Sequence, residues 1–201
     1  MFNSIDSNGN LDREKGAVFN EAIEHFKSTK EWLWLPGVPI DLDEVSMQMA
    51  QLEPARLDSS IAYAERLREG SKEPGDWQFL AMLYDLAGRY KDMENAIKTA
   101  YELVCSGLRG VEEMAWGWRE TLGMFYYAAY NNSRDGRDVV VLGSIPSKVT
   151  ARSLGYTVDE VRALAQKTLE DAYADAKRRN IEQDSPELRQ IEQAICACNN
   201  Q

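Results

Sequence analysis

The sequence predicts an all-α fold in which antiparallel helix hairpins stack on one another, with an irregular segment at about 131–156. Three observations predict it. Apolar side chains recur at spacings of three and four residues along most of the chain, the pattern of a helix with one buried face. Pro36, Pro54 and Pro186 stand at the edges of these stretches, where a missing amide donor is tolerated, and residues 70–75, with Pro74, read as a linker. A β-branched run, Val139 to Val141, falls within the irregular segment. With 201 residues, 44% of them hydrophobic, the chain can bury a sizeable core, and residues 1–201 read as a single helical domain.

Residues 1–10 are polar and read as a frayed end. A first helix is expected from near Leu11 or Arg13, with Val18, Phe19, Ala22, Ile23 and Phe26 as its stripe and Pro36 beyond its end. Asp41 or Asp43 caps a second helix that runs to about Leu52, because a carboxylate accepts from the free amides of the first turn. Pro54 opens a third, which presents Leu57, Ile61, Ala64 and Leu67 on one face and stops at Gly70. The fourth spans about Asp76 to Ala87 and ends at Gly88. The fifth spans about Tyr90 to Val104, with Met93, Ala96, Ile97, Ala100 and Tyr101 inward.

The sixth, from about Val111 to Tyr130, carries two stripes: Val111, Met114, Trp118, Leu122 and Phe125 on one side, Trp116, Tyr127 and Tyr130 on another. A helix apolar on two sides is buried on two sides, so this one is expected to be central. The turn-forming run that starts at Asn131 should end it. The residues around Val139 read as a short strand or a buried extended segment, and a short helix is expected between Ser147 and Leu154. Thr157 and Glu160 make a capping box for a seventh helix to about Arg179, with Val158, Val161, Ala165, Leu169, Ala172 and Ala176 inward. Pro186 and Glu187 open an eighth, with Leu188, Ile191, Ile195 and Cys198 as its stripe.

In the fourth and fifth helices, Trp77, Leu80, Ala81 and Tyr84 are followed by Gly88 and Tyr90 at the turn, then by Ala100 in the second helix. This pattern resembles a tetratricopeptide repeat, a pair of antiparallel helices about 34 residues long. Ala81 stands where the family often has glycine. The resemblance covers residues 74–107 and implies a TPR-like α-α superhelix, in which neighbouring pairs must stack on the unit to bury its faces. Residues 40–73 supply a helix pair without the signature residues. Residues 108–141 offer Trp118 and Gly123 and then break. The family's concave surface takes side chains from the first helix of each pair, which here implies Gln78, Met82 and Asp85 as partner-binding positions.

The formal net charge is −10, and residues 1–60 alone hold eleven acidic and five basic side chains. Such a chain repels nucleic acid and anionic membrane surfaces, which need cations at the contact. A basic protein or peptide is the partner this charge favours. No apolar stretch approaches the roughly 20 residues of a membrane span. The first ten residues lack the basic patch and apolar run of a secretory signal, so a cytoplasmic location is expected. Cys105, Cys196 and Cys198 are too few and too unevenly placed for a disulfide framework or a four-ligand zinc site, and read as reduced thiols.

The chemistry-bearing residues converge on no reaction. His25 is the only histidine, with no nucleophile or orienting acid in view, and reads as a boundary or surface residue. Asp6 to Asp12 is rich in oxygen ligands. An EF-hand needs glycine at its sixth position and an acid at its twelfth, whereas Gly9 is fourth and Ala17 is twelfth. Glu112 and Glu113 are adjacent on a helix and diverge. Gly107 to Gly110 follows no strand, so it fails as a nucleotide loop.

No cofactor is implied. The aromatic set Trp32, Trp34, Trp116, Trp118, Tyr126, Tyr127 and Tyr130 reads first as core. Where exposed it would form a binding patch, with Trp116 and Tyr127 the residues to watch.

The function this supports is a non-catalytic protein–protein interaction module for a basic protein or peptide. A small acidic immunity or chaperone-type protein that neutralises its partner fits the same facts. The competing class is an enzyme or small-ligand protein with a pocket beside the sixth helix, and a self-associating structural protein is a third. An open, charged groove favours the module, and a closed pocket lined by Trp116 and Tyr127 favours the ligand reading.

Overall fold

A computed structural model describes residues 4–5, 11–12, 42–106, 115–134, 138–179, 181 and 185–199. Eight helices make up most of the described residues: α1 Leu42–Met49, α2 Pro54–Arg68, α3 Pro74–Leu86, α4 Tyr90–Cys105, α5 Ala115–Arg134, α6 Ala151–Leu154, α7 Val158–Arg178 and α8 Pro186–Asn199. Two short antiparallel strand pairs accompany them: β1 Ser4–Ile5 with β2 Leu11–Asp12, and β3 Val139–Val140 with β4 Pro146–Ser147. The protein is all-α.

Local signals place the helix ends. Pro54 and Pro74 sit in the first turns of α2 and α3. The Thr157–Glu160 capping box forms as expected: Thr157 Oγ1 accepts from the Glu160 amide and the Glu160 carboxylate accepts from the Thr157 amide. At the end of α3 the chain turns at Gly88, which has φ +70°. Arg89 N donates to Tyr84 O at 2.8 Å and Gly88 N to Asp85 O at 3.0 Å. That pair of bonds is the Schellman closure, and it needs the left-handed residue that glycine supplies. Three residues, 87–89, then separate α3 from α4, and the two helices pack side by side.

Helix α5 is central, as its two apolar stripes predict. It packs on α4, α6, α7, α8 and β3. Its tightest approach is to α7, at Gly123. A Cβ built there would lie 2.7 Å from Leu169 Cδ2 and 3.2 Å from Leu169 N. Val161, Ala165, Leu169, Ala172 and Ala176 of α7 are fully buried, and the three alanines are small enough to let the helices close. Arg119 of α5 ties this layer together: its Nε donates to Tyr101 Oη of α4 at 3.0 Å, and its Nη1 donates to the Asp175 carboxylate of α7. The main core collects Val45, Ile61, Phe79, Met93, Ile97 and Phe125 from α1 to α5. A second cluster joins Met124, Leu169 and Ala172 to Leu188 and Ile191 of α8.

Several expectations are corrected. Leu11 lies in a strand, paired with Ile5, rather than at a helix start, and residues 4–5 are paired rather than frayed. The sequence between them contains Asn8-Gly9, a dipeptide favoured in hairpin connections. The first helix expected beyond Leu11, with His25, Trp32 and Trp34, lies outside the described residues, as do Glu112, Glu113 and the 107–110 turn.

Helix α5 continues to Arg134, through residues that prefer turns. Their side chains are held by tertiary partners: Asn132 Nδ2 donates to Ser147 O and Val149 O, each at 2.9 Å, and Ser133 Oγ accepts from Ala151 N. Those bonds outweigh a weak local preference. The expected irregular segment therefore starts after 134 and contains the β3–β4 pair and α6. Val158, expected inward, is 37% exposed, and Ala194 replaces Ile195 on the buried face of α8.

Candidate functional site

An open cleft of about 470 Å³ lies between α2 and α3. It arises from helical spacing. Trp77, Leu80 and Tyr84 lie on one face of α3 and form one wall, and Glu65 of α2 and Glu69, the residue after its end, face them. Trp77 Nε1 donates to Ser71 O at 3.1 Å, which fixes the indole at the mouth. Tyr84 Oη donates to Glu65 Oε1 at 2.8 Å, and Arg89 Nη2 meets the same oxygen at 3.1 Å. The Arg89 guanidinium also covers the Tyr84 ring at 4.7 Å. Burial raises the Tyr84 phenol above its ordinary range, and the hydrogen bond to Glu65 adds to this.

Two arginines border the cleft, Arg68 buried and Arg66 exposed. Arg68 is 1% exposed; its guanidinium lies 4.6 Å over the Phe79 ring and donates to Ala64 O at 3.2 Å. Burial lowers its pKa to about 10, against the opposing pull of Asp76. Arg66 stacks over Tyr63 at 5.5 Å. Glu69 is exposed at the rim beside them.

The residues implied by the repeat resemblance do not form a free concave face. Gln78 is half-buried, but Met82 is 1% exposed and belongs to the core. Its place on α3 turns it toward the stacked helices rather than solvent. Asp85 is half-buried and accepts from Ser147 Oγ at 2.6 Å, so it anchors the β3–β4 segment. Burial raises the Asp85 carboxyl to about 6, and the bond from Ser147 partly offsets this. The aromatic cluster resolves as core at Trp118, Tyr126 and Tyr130, which are 6%, 2% and 3% exposed. Tyr127 is half-buried and packs on both main core clusters. The Trp116 side chain lies outside the described residues.

Sequence reasoning missed Glu94. It is 1% exposed, yet Lys98 and Tyr126 each donate to its Oε1 at 2.8 Å, Tyr156 donates to the same oxygen at 3.2 Å, and Lys91 donates to Oε2 at 2.9 Å. Burial alone would raise this carboxyl. The donors outweigh it and hold the pKa below the usual glutamate range. The available signal was an acid flanked by Lys91 and Lys98 on the apolar face of α4. This node joins α4, α5 and the turn before α7, and its role is structural.

No protein-family model, curated protein or solved structure matches the chain. No helix among the described residues is long and apolar enough to cross a membrane.

Proposed function

We propose that this chain is a non-catalytic interaction module, built on tetratricopeptide-like helix pairs, that holds a basic segment of a protein partner in the α2–α3 cleft. The observation that carries this reading is the pairing of Trp77, Leu80 and Tyr84 on one wall with Glu65 and Glu69 on the other. An aliphatic or aromatic side chain of the partner enters between the α3 side chains, where area removed from water supplies most of the affinity. A neighbouring lysine or arginine reaches Glu69 at the rim, which adds orientation more than strength. The net charge of −10 favours encounter with the same partner.

The test is selection from a random peptide library on the immobilised protein, repeated with Glu69→Lys. Because Glu69 is exposed, the substitution should leave the thermal melt unchanged. The expected result is enrichment of peptides with a basic residue next to an apolar one, and loss of that preference in the variant. Peptides that bind both proteins equally, or that carry no basic residue, would refute the assignment.

A further inference from the structure

A second recess lies on another part of the molecule, between α5, the β3–β4 segment and α8. It encloses about 290 Å³ and is lined by Glu120, Thr121, Met124, Val140, Val141 and Gln190. Glu120 and Met124 are four residues apart on α5 and share a face. Val140 is 40% exposed, one of the few large hydrophobic side chains left in water among the described residues. Glu187, one turn before Gln190 on α8, lies close enough for its charge to act on Glu120. We propose that this recess seats the side chain of a lysine from a protein partner, with its alkyl stem against Val140, Val141 and Met124 and its ammonium between Glu120, Glu187 and Gln190.

Three features support that occupant. An ammonium has three donors, and the recess offers the Glu120 carboxylate and the Gln190 carboxamide oxygen, with Glu187 near enough for its charge to be felt. Of the cations on the adjoining elements, Arg119 binds Tyr101 and Asp175, Arg134 donates to Tyr130, and Lys148 pairs with Asp138. Burial and the nearby Glu187 push the Glu120 carboxyl up to about 7, so its ionised form is poorly compensated and a docked cation would relieve it. A compact ion alone is a poorer fit. Much of the lining is apolar, and among the described residues no group of three His, Cys, Asp or Glu is placed to hold a metal. The lysine stem uses the apolar part and its head uses the polar part. This site is separate from the α2–α3 cleft and does not depend on it.

The experiment is an NMR titration of the full chain with two blocked alanine pentapeptides, one with a central lysine and one with norleucine in its place. The lysine peptide should shift the signals of Thr121, Val140 and Val141, and the norleucine peptide should bind about tenfold more weakly, as expected for one partly exposed charged hydrogen-bond set. Glu120→Gln, nearly isosteric, should weaken the lysine peptide by about tenfold. Glu187→Gln, at an exposed position, provides a second variant that leaves the fold intact. Glu69→Lys should have no effect here, which separates this result from that of the α2–α3 cleft. Equal shifts with both peptides, shifts elsewhere on the protein, or unchanged binding in both glutamine variants would overturn the proposal.

Discussion

Replacing Gly123 with alanine tests the packing of α5 on α7, and its magnitude follows from two opposing effects. Alanine is the better helix former, by about 0.8–1 kcal/mol, so an unobstructed site would gain stability. The site is obstructed. The new Cβ would meet Leu169 Cδ2 at 2.7 Å, Leu169 Cγ at 2.8 Å and Leu169 N at 3.2 Å. Leu169 is fully buried, so it has no solvent to move into, and part of the obstacle is backbone. Forcing a methyl group into a packed site costs about 1–3 kcal/mol, and an obstacle that is partly backbone puts this one at about 2–3 kcal/mol. The net loss should be about 1–2 kcal/mol, a fall in Tm of about 3–6 °C for a chain of this size.

Gly117, earlier on the same helix, is the control. A Cβ there meets nothing within 4 Å. Gly117→Ala should therefore raise Tm by about 2–3 °C, from propensity alone. Thermal melts followed by far-ultraviolet circular dichroism read both. In a Leu169→Ala background the penalty at Gly123 should shrink, because the obstructing atoms are gone and the two sites are coupled. A Gly123→Ala protein that melts at or above the parent, or two variants that shift in the same direction, would refute the packing account.

Other expectations follow from the same structure. Tyr84→Ala should lower stability by about 3 kcal/mol, since the ring is 8% exposed and joins α3 to Glu65 of α2; an unchanged melt would remove the hairpin packing described here. Glu94 has a depressed folded pKa, so its contribution is present above the ordinary glutamate range and is lost as pH falls through the folded value. Glu94→Gln should therefore lower Tm near neutrality and flatten the acid side of the Tm–pH curve, and an acid limb as steep as the parent's would count against the node. Among the thiols, Cys105 and Cys196 are exposed, while Cys198 is buried and its pKa is pushed up to about 11. A thiol reagent should label the first two in the folded protein and Cys198 only on unfolding, and three equal rates would show the α8 packing to be wrong.

Helix positions were legible because their signals are local. Proline in a first turn, the Thr157–Glu160 box and apolar side chains three or four apart each act within one or two turns of chain. What was misread depends on partners far away in sequence. Asn131 to Ser133 carry turn chemistry, and bonds from Asn132 to Ser147 and Val149 and from Ala151 to Ser133 help to hold this stretch in the helix. Met82 read as a surface position from the repeat pattern, but the helices packed around α3 bury it. Glu65 meets Tyr84 across nineteen residues, and the charge of Glu187 acts on Glu120 across a still longer stretch, so neither cleft is written in any single window. The central place of α5 was legible because two apolar stripes on one helix demand two neighbours.

The segment from β3 to α6 is fastened by side chains from three different helices. Ser46 Oγ of α1 accepts from Ser144 N, Asp85 of α3 accepts from Ser147 Oγ, and Asn132 of α5 donates to Ser147 O and Val149 O. The first of these spans 98 residues and the second 62. None of them can form until the helices that carry them are already side by side, because closing such loops has to be compensated by many contacts at once. This segment should therefore be the last part of the chain to settle and the first to leave. Substitutions at Ser46 or Asp85 should hasten unfolding while leaving the rate of folding almost untouched, so the fastening acts as a timer on the lifetime of the folded state.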